Sequence, residues 1–390
     1  MSKRTKRVFI ICNCKFPRGG ALSNYIQYLS SAILLAGYET IIVSDINSEY
    51  ILSHKGVAKY GEHHIECITV SNNKLVKHIQ YRTSFVYERF KILREYNILS
   101  SDVLIVLGQS EIFYNKLLKY REKIGFKIIG GLLEMFAQED FSAGISEYKK
   151  YNYVLENIFP QFDAIMPIST YIEKHYKEKG VKTFCVPIMA DSEEFEVREK
   201  VLDKYRFVLP ANGKMKDALY EMLVAFSSLS NAELMQIELH TCGIKDSVIK
   251  EMLNSTQYDK LQPILHVHGW MKYDELIELY QNMNFLILAR KTSQMTLANF
   301  PSKVPETMGF GIVPVVSEVG DYTKYYLQNG IDSIFIDGYS PENCLLAIRK
   351  AINLSEQEYI QISKNAIHCV KTKFDYHVWV DRISKMIEEV

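Results

Sequence analysis

Short apolar runs alternate along this chain with stretches whose apolar residues recur at helical spacing. The first run, VFIIC at 8–12, is typical of a strand that is buried on both faces. A glycine-containing loop follows, and residues 21–36 then carry apolar side chains three and four positions apart before Gly37. A second β-rich run at 40–44 completes a strand–helix–strand unit, which predicts a parallel sheet.

The same alternation continues to the end of the chain. Further strands are predicted at 66–70, 103–107, 127–129 and 164–167, with helices at 74–96, 111–121, 146–159 and 170–179. After a polar, acidic stretch the pattern restarts, with strands at 206–209, 237–240, 264–267, 284–288, 313–316 and 333–336. Helices are predicted between them at 217–229, 273–282, 303–309, 323–328 and 341–353, and two more in the tail, broken near 374–375. The predicted fold class is α/β, with two doubly wound parallel-sheet domains.

The domain boundaries follow from the same pattern. We place a first domain at 1–188, a linker at 189–204, a second domain at 205–373 and a carboxyl-terminal helix at 374–390 that we expect to pack on the first domain. Ligands of doubly wound sheets bind at the carboxyl ends of the strands. A cleft between two such domains is therefore the expected site.

Composition narrows the class of protein. The chain has 390 residues, 47% of them hydrophobic and 24% charged, as is usual for a globular protein. Its 46 basic residues balance 46 acidic ones, so a nucleic-acid partner is not expected. No apolar stretch approaches the roughly 18 residues of a transmembrane helix. Seven scattered cysteines favour buried thiols in a reducing cytoplasm. Cys12 and Cys14 have no zinc-type Cys/His set nearby, so no metal site is expected.

Two stretches are locally basic, at 1–7 and at 74–94. The second also carries aromatic residues, and such a helix can lie on an anionic membrane surface. The alternative is an ordinary solvated helix. We expect a cytoplasmic protein and leave open a peripheral contact of the basic first domain with the inner face of the cell membrane.

Four blocks carry a family resemblance. They are FPRGGALSNYIQYLSSAILLAGYETIIVS at 16–44, FDAIMPISTYIEKHYKEKG at 162–180, NGKMKDALYEMLVAFSSL at 212–229 and NFPSKVPETMGFGIVPVVSEVGD at 299–321. Together they resemble GT-B glycosyltransferases of family 4, in particular the branch that builds bacterial surface polysaccharides. The resemblance implies transfer of a hexosyl group, with retention, from a nucleoside diphosphate sugar (most commonly a UDP-sugar) to a glycan or lipid-linked glycan. It also implies that no metal or other cofactor is required.

The block at 299–321 should bind the donor. A carboxylate accepts two hydrogen bonds from vicinal hydroxyls, and the resemblance assigns Glu306 to the ribose. The alternative is an acid favoured by the helix dipole. Ser302, Lys303 and Val304 begin the same predicted helix, so their amide groups are expected to be unpaired and to bind the diphosphate. Capping of the helix by the Ser302 side chain is the plainer interpretation and is compatible with it.

Basic side chains at strand ends should neutralise the leaving diphosphate. In the family a basic pair follows the first strand of the second domain, which corresponds here to Lys214 and Lys216. A fixed cation there stabilises the charge that develops in the transition state. Arg290 follows the apolar run at 285–289, so it is expected at the carboxyl edge of the sheet. The alternatives are solvated loop lysines and an inter-domain ion pair of Arg290.

The glycine pair Gly19 and Gly20 should allow close approach of a phosphate or sugar, because glycine has no Cβ. A structural turn explains one glycine easily and two adjacent ones less so. Arg18 and Ser23 are secondary candidates, Ser23 for the acceptor or sugar. No Gly-Lys-Ser/Thr follows, so this is not a Walker loop.

Two further candidates lie after strands of the first domain. Glu134 follows the strand-like residues 127–133 and could orient a sugar hydroxyl; the alternative is a surface acid. Ser169 follows the strand predicted at 164–167 and is a candidate for the acceptor or sugar, or simply a helix N-cap.

One position departs from the family pattern. The donor block normally holds two glutamates eight positions apart, and counting back from Glu306 reaches Ala298. Asn299 or Gln294 could substitute in contacting the sugar. Two alternative functions therefore stay open: an inverting GT-B transferase or UDP-sugar epimerase with Glu134 or Glu139 as base, and a non-catalytic glycan-binding homologue.

Overall fold

In the computed structural model the chain folds as two compact units, Met1–Met189 with Tyr376–Val390, and Ala190–Asp375. The structure describes residues 6–17, 20–46, 57–60, 63–68, 71, 73–141, 145–198, 200, 202–210 and 216–390, except for the side chains of 46, 57–60 and 82.

The first unit is built on one sheet. Its strands, within the described residues, are β1 (Arg7–Phe16), β2 (Glu39–Ile46), β3 (Val57–Tyr60), β4 (His63–Ile68), β5 (Val103–Leu107), β6 (Lys127–Leu132) and β7 (Ala164–Pro167). They lie in the order β3-β4-β2-β1-β5-β6-β7. All neighbours are parallel except β3, which pairs antiparallel with β4. Strand β5 is wholly apolar and buried, as expected of a strand whose two faces are both covered.

The helices of this unit are α1 (Ala21–Leu35), α2 (Lys74–Arg82), α3 (Ser84–Glu95), α4 (Glu111–Ile124), α5 (Ile145–Tyr153) and α6 (Thr170–Lys177). The single helix predicted at 74–96 is wrong, because Thr83 leaves the helical region (φ −124°, ψ −87°) and divides it into α2 and α3. Strand β3 was not predicted either, since its four residues carry no apolar alternation.

The second unit has an all-parallel sheet. Its strands are β8 (Tyr205–Pro210), β9 (Ile237–Cys242), β10 (Leu265–Gly269), β11 (Phe285–Leu288), β12 (Val313–Ser317) and β13 (Ile334–Ile336). Over the described residues their order is β10-β9-β8-β11-β12-β13. The first and fourth strands of the unit, β8 and β11, are thus neighbours, as in a doubly wound nucleotide-binding sheet. The predicted class, two doubly wound α/β domains, is confirmed.

The helices of the second unit are α7 (Leu219–Ser227), α8 (Asn231–Leu234), α9 (Asp246–Met252), α10 (Ser255–Leu261), α11 (Tyr273–Tyr280), α12 (Gln294–Ala298), α13 (Lys303–Gly309), α14 (Pro341–Ile352) and α15 (Glu356–Cys369). The helix predicted at 323–328 is instead a wider π-helical turn, Tyr322–Tyr326. Helices α8, α9, α10 and α12 are short and were not predicted.

The last helix, α16 (Val380–Glu389), belongs to the first unit. Its buried side chains are Ile383, Met386 and Ile387, and its Ser384 hydroxyl lies 3.3 Å from the Tyr38 hydroxyl. None of the described helices is both long and apolar enough to cross a bilayer.

The stretch predicted as a linker, 189–204, belongs to the second unit from Ala190 onwards, and several of its described residues pack there. The Phe195 ring meets the Phe310 ring edge-on at 4.9 Å. A Cβ added to Gly309 would lie 2.2 Å from Phe195 Cδ2, so only glycine allows this contact. Lys200 Nζ donates to the carbonyls of Tyr280 and Gln281, at 2.9 and 2.6 Å. The segment therefore acts as part of the second unit.

Candidate active site

The carboxyl ends of β8 and β11 lie side by side at the centre of the second sheet. Because the chain leaves these two strands towards opposite sides, a crevice opens between their ends. Asp217 follows β8 and Arg290 follows β11, and the two residues form a bridge that joins the segments. The amide of Ala218 donates to Ala289 O at 2.8 Å and tightens the same connection. The sheet topology thus brings together residues that are 73 positions apart.

Arg290 is the centre of this crevice. Its Nε donates to Asp217 Oδ1 at 3.0 Å, and its Nη1 donates to Asn299 Oδ1 at 3.0 Å. Its own amide donates to Ser317 Oγ at 2.9 Å. The side chains of Arg290 and Asp217 are only 7% and 10% exposed. The suggested inter-domain ion pair is therefore wrong, because the partner lies in the same unit.

Helix α13 supplies a lysine and a glutamate one turn apart. Lys303 Nζ donates to Pro210 O at the end of β8, and burial lowers the pKa of Lys303. Glu306 is half-buried, and burial raises its pKa to about 7; Lys303 opposes this shift and Glu194 adds to it. No described residue donates a hydrogen bond to the Glu306 carboxylate. A carboxylate that is desolvated yet accepts no bond is suited to receive one from a ligand hydroxyl.

The amide groups at the start of α13 differ from the prediction. The Val304 amide donates to Pro301 O at 3.1 Å, so the expectation that it is unpaired is wrong. Ser302 precedes the helix but makes no side-chain cap. The Ser302 and Lys303 amides are the two for which no described residue is an acceptor. The predicted anion site is therefore smaller by one donor.

The predicted lysine pair is only partly visible. Lys214 lies outside the described residues. Lys216 is half-buried and directly precedes Asp217, so it stands at the carboxyl end of β8 beside the crevice. This position suits a cation that faces a leaving group.

Ala298 ends α12 and is fully buried. The side-chain oxygen of the neighbouring residue, Asn299, accepts a hydrogen bond from Arg290 Nη1. Gly320 has φ +74°, and a Cβ there would come within 3.1 Å of Thr296 O. The signal for α12 was the pair Ser293 and Thr296, whose side chains and amides bond reciprocally.

Only some of the candidates in the glycine loop lie among the described residues. Gly19 and Arg18 lie outside the described residues. Gly20 stands directly before α1 with φ +134°, and a Cβ added to it would meet nothing within 4 Å. Ser23 is buried, and its hydroxyl donates to Gly20 O at 2.7 Å, within the first turn of α1.

The two candidates after later strands of the first unit also have local contacts. Glu134 is half-buried two residues beyond β6, and its carbonyl accepts from Tyr151 OH at 3.5 Å. Ser169 is fully buried and caps α6 by accepting from the Ile172 amide at 3.5 Å. The capping interpretation of Ser169 is therefore confirmed, whereas a contact with substrate stays a prediction.

Sequence reasoning missed an ion cluster at the carboxyl ends of β1 and β2. Arg89 and Asp45 are each 1% exposed, with Arg89 Nη2 3.8 Å from Asp45 Oδ1. The same nitrogen donates to Asn13 Oδ1 at 2.5 Å and to Cys12 O at 3.2 Å. The signal was available, because Arg89 stands next to Phe90 on the apolar face of α3.

One group among the described residues could hold a metal ion: Glu238, His240 and His266, whose ligand atoms lie within 4.8 Å of one another. Two features oppose this. Glu238 already bonds Arg206 Nε at 2.9 Å and lies 3.6 Å from Lys204 Nζ, and these cations compete with a metal. The rings of His240 and His266 stack nearly parallel, at 4.5 Å and 16°, so their in-plane lone pairs do not converge. We assign no metal role to the group.

Comparison with known proteins gives a family match within the second unit and a fold match over the whole chain. Residues 191–368 match the family described as glycosyl transferases group 1. No curated protein sequence matches the chain. Similar solved structures include a glycosyltransferase from Rickettsia africae, at 14% identity and TM-score 0.69, covering 99% of this chain and 98% of the other. A trehalose-6-phosphate structure from E. coli bound with UDP-2-fluoro glucose is similar at 11% identity and TM-score 0.71, over 99% of both chains.

A third similar structure is Anabaena HepE in complex with UDP-glucose, at 10% identity and TM-score 0.68, covering 98% of this chain and 100% of the other. At such identities the likeness shows the fold, and it confirms the predicted GT-B class. The matched family covers β8 to α15 and hence Arg290, Lys303 and Glu306. The chain is therefore a glycosyltransferase, and its residues 191–368 are a glycosyl transferases group 1 domain.

Proposed function

We propose that this enzyme is a retaining family 4 transferase that moves a sugar from a UDP-sugar to a hydroxyl group of a glycan or lipid-linked glycan, in bacterial polysaccharide biosynthesis. The observation that carries the proposal is the group at the ends of β8 and β11, where Arg290, Lys303 and Glu306 converge inside the matched family region. The choice of UDP rests on the similar structures that hold UDP-sugars.

Glu306 would bind the ribose. Its carboxylate accepts no hydrogen bond from the described residues, and two vicinal hydroxyls can supply the two bonds that it lacks. Bonds to the ionised form lower a pKa. Ribose binding should therefore bring the raised pKa of Glu306 back down.

The diphosphate would lie between the start of α13 and the cations beside it. Lys216 and Arg290 are the proposed cations, with the Ser302 and Lys303 amides as neutral donors; Lys214, which lies outside the described residues, is a further candidate. Asp217 holds the Arg290 guanidinium in place at 3.0 Å. A cation that is already oriented stabilises the charge that grows on the leaving group without reorganising.

The reaction would proceed on one face of the sugar. The bond from C1 to the diphosphate oxygen breaks, the acceptor oxygen bonds to C1 on the same face, and the acceptor proton passes to the departing diphosphate. This route needs no side-chain base and no divalent ion. The candidates of the first unit for contacting the acceptor or sugar are Gly19, Gly20, Ser23, Glu134 and Ser169; Asn299 is the remaining candidate for the sugar.

Localisation follows from the same proposal. All seven cysteines are free thiols. Free thiols are usual in a reducing compartment. We place the enzyme in the cytoplasm.

The test begins with thermal unfolding of the full chain in the presence of UDP, GDP, ADP and their sugar conjugates. A ligand at about 100 times its Kd adds about 2.7 kcal/mol to the stability of the folded state. We expect UDP and one UDP-sugar to stabilise the protein most. Product formed with that donor is then analysed by NMR at the anomeric carbon, where a retained configuration is expected.

Variants test the residue roles. Lys216→Ala and Glu306→Ala should lower turnover by about a hundredfold or more. Lys291→Ala is the matched control, because the Lys291 side chain is half-exposed and contacts Glu221 at 3.2 Å and the Tyr339 ring at 5.5 Å. An inverted product would replace the retaining mechanism with one that uses Glu134 or Glu139 as base. Full turnover by both variants would refute the site.

A further inference from the structure

Helix α2 presents its apolar side chains to solvent. Leu75, Val76 and Ile79 are 73%, 44% and 53% exposed. Positions 75, 76 and 79 lie on one face of a helix. Single exposed apolar residues are ordinary, whereas a cluster is a mark of an interaction surface. No other described helix exposes three large apolar side chains. We call this cluster the α2 apolar face.

The opposite face of α2 is polar and points into the first unit. Tyr81 OH donates to the buried Asp45 at 2.5 Å, and the Tyr81 ring stacks on Phe85 at 4.7 Å. Gln80 Oε1 accepts from the Ser71 amide at 2.9 Å. These bonds fix the rotation of the helix about its axis. The outward direction of the α2 apolar face is thus set by specific contacts, since rolling the helix inwards would break them.

Exposed cations accompany the α2 apolar face. Residues 74–95, which span α2 and α3, contain six lysines and arginines against two glutamates, and of these Arg89 is buried beside Asp45 and does not face solvent. Lys74, Lys91 and Arg94 are exposed, and Arg94 lies 5.9 Å above the ring of Tyr87, which is itself 61% exposed. An apolar stripe bordered by cations and an exposed tyrosine is the pattern of a helix that lies in the interface of an anionic bilayer.

We propose that α2 docks this enzyme on an anionic phospholipid surface, with the α2 apolar face inserted at the level of the acyl-chain boundary and the cations among the head groups. Neither element is enough alone, because weak apolar insertion and electrostatic attraction act together. The proposal concerns where the enzyme sits and is independent of its donor, so docking and catalysis can fail separately.

The experiment is sedimentation of the full-length protein with two kinds of vesicle. One is phosphatidylcholine alone, and the other contains about one third phosphatidylglycerol as the anionic component. We expect binding to the anionic vesicles, weakening as salt is added. Removing the apolar contribution should lower vesicle affinity at least about tenfold, because burial of one Leu or Ile side chain contributes that much.

The test variant is Leu75→Gln/Ile79→Gln, which removes apolar surface without adding charge, and the matched control is Met235→Gln, since Met235 is 72% exposed in the second unit. All three side chains face solvent, so each variant should keep the thermal stability of the parent. The proposal predicts loss of vesicle binding in the double variant alone.

Three results would overturn the proposal: no binding of the parent protein to anionic vesicles, equal binding of parent and double variant, or a dimer in light scattering that the double variant dissociates. The last would assign the face to a second copy of this chain. If docking and catalysis are separate, the double variant should lose vesicle binding but keep its transferase turnover on a soluble acceptor. If the parent protein binds vesicles but shows no turnover, the docking proposal stands and the proposed reaction is refuted.

Discussion

The two units place the same kind of residues at the same edge of similar sheets and use them differently. In the first unit, Arg89 and Asp45 are each 1% exposed, and the guanidinium bonds the end of β1 through Cys12 O and Asn13. In the second, Arg290 lies beside Asp217, and Lys303 interacts electrostatically with both and with Glu306, whose carboxylate accepts no bond from the described residues. Both clusters hold a carboxylate oxygen that accepts no hydrogen bond from the described residues, but Asp45 Oδ1 is fully buried, whereas Glu306 is half-buried and can be reached by a ligand.

The two carboxyls sharpen this contrast. Burial raises the pKa of both Asp45 and Glu306. Asp45 nevertheless accepts from Tyr81 OH, and Arg89 further offsets its shift. Desolvation alone therefore does not identify a functional acid; Glu306 differs from Asp45 in being partly exposed while accepting no hydrogen bond from the described residues.

The largest expected effect is on stability, and it should distinguish the Arg290–Asp217 pair from the Arg89–Asp45 pair. Arg290→Leu should lower the free energy of unfolding of the second unit by about 3–5 kcal/mol, because it leaves the Asp217 charge buried without its partner. Double-mutant cycles should give a larger coupling for Arg290–Asp217, at 3.0 Å, than for Arg89–Asp45, at 3.8 Å. Amide hydrogen exchange of β8 and β1 measures the two units separately. Equal coupling energies for the two pairs would contradict the difference proposed between the two units.

The next effect concerns pH. Ribose hydroxyls donate to ionised Glu306, so binding of UDP should release a proton wherever the free carboxyl, with pKa about 7, is protonated. Affinity for UDP should therefore rise about tenfold from about pH 6 to about pH 8 and level off above the pKa. Calorimetric titration at both values measures it.

Glu306→Gln should bind UDP weakly with no such pH dependence, and the exposed Glu251→Gln should behave like the parent. The free protein should change in the opposite sense. Since the folded pKa of Glu306 lies above its unfolded value, its contribution to stability is present at low pH and is lost as pH rises through about 7. A UDP affinity that is flat across this range would remove Glu306 from the ribose site.

A smaller effect distinguishes two glycines. Gly309→Ala should destabilise the second unit by about 1–3 kcal/mol, because its Cβ would overlap the Phe195 ring. Gly20→Ala meets no neighbour and should cost only about 1 kcal/mol, from the strain of its positive φ. Thermal unfolding of both variants checks the order. The reverse order would mean that Phe195 moves aside readily.

The smallest effect compares two serines that precede helices. Ser169→Ala removes a cap of α6 and should destabilise the first unit by about 1 kcal/mol. Ser302→Ala removes no cap from α13 and should change stability by less than about 0.5 kcal/mol. Denaturant unfolding resolves this difference if both are measured together. A destabilising Ser302→Ala would show that its hydroxyl bonds within the folded state.

The fold was predictable where burial is simple. Runs such as 103–107 and 164–167 coincide with β5 and β7, because strands buried on both faces must be apolar throughout. Helix α13 was predicted at its observed bounds. What escaped prediction is short and held by tertiary contacts. Strand β3 depends on pairing with β4, and α12 ends at a fully buried Ala298.

The site was predictable by type of residue more than by contact. Arg290 was expected at a strand end and lies there, but its partner Asp217 is 73 positions away, and no local pattern shows such a pairing. The Val304 amide donates to Pro301 O and so is not available to a ligand. This hydrogen bond depends on local backbone geometry, which the sequence pattern does not show. Arg89 was grouped with surface cations, because a basic run suggests exposure until the face of each helix is known.

Phe195 gives the second unit a property that follows from thermodynamic reciprocity. Its ring lies against Gly309 and Phe310, at the end of the helix that bears Lys303 and Glu306. If donor binding shifts α13, it must change the free energy with which the 190–198 segment is held. A change that weakens or strengthens the packing of that segment must then alter the donor affinity by the same factor. The free energy with which the 190–198 segment is held would thus differ between the nucleotide-bound and the free protein.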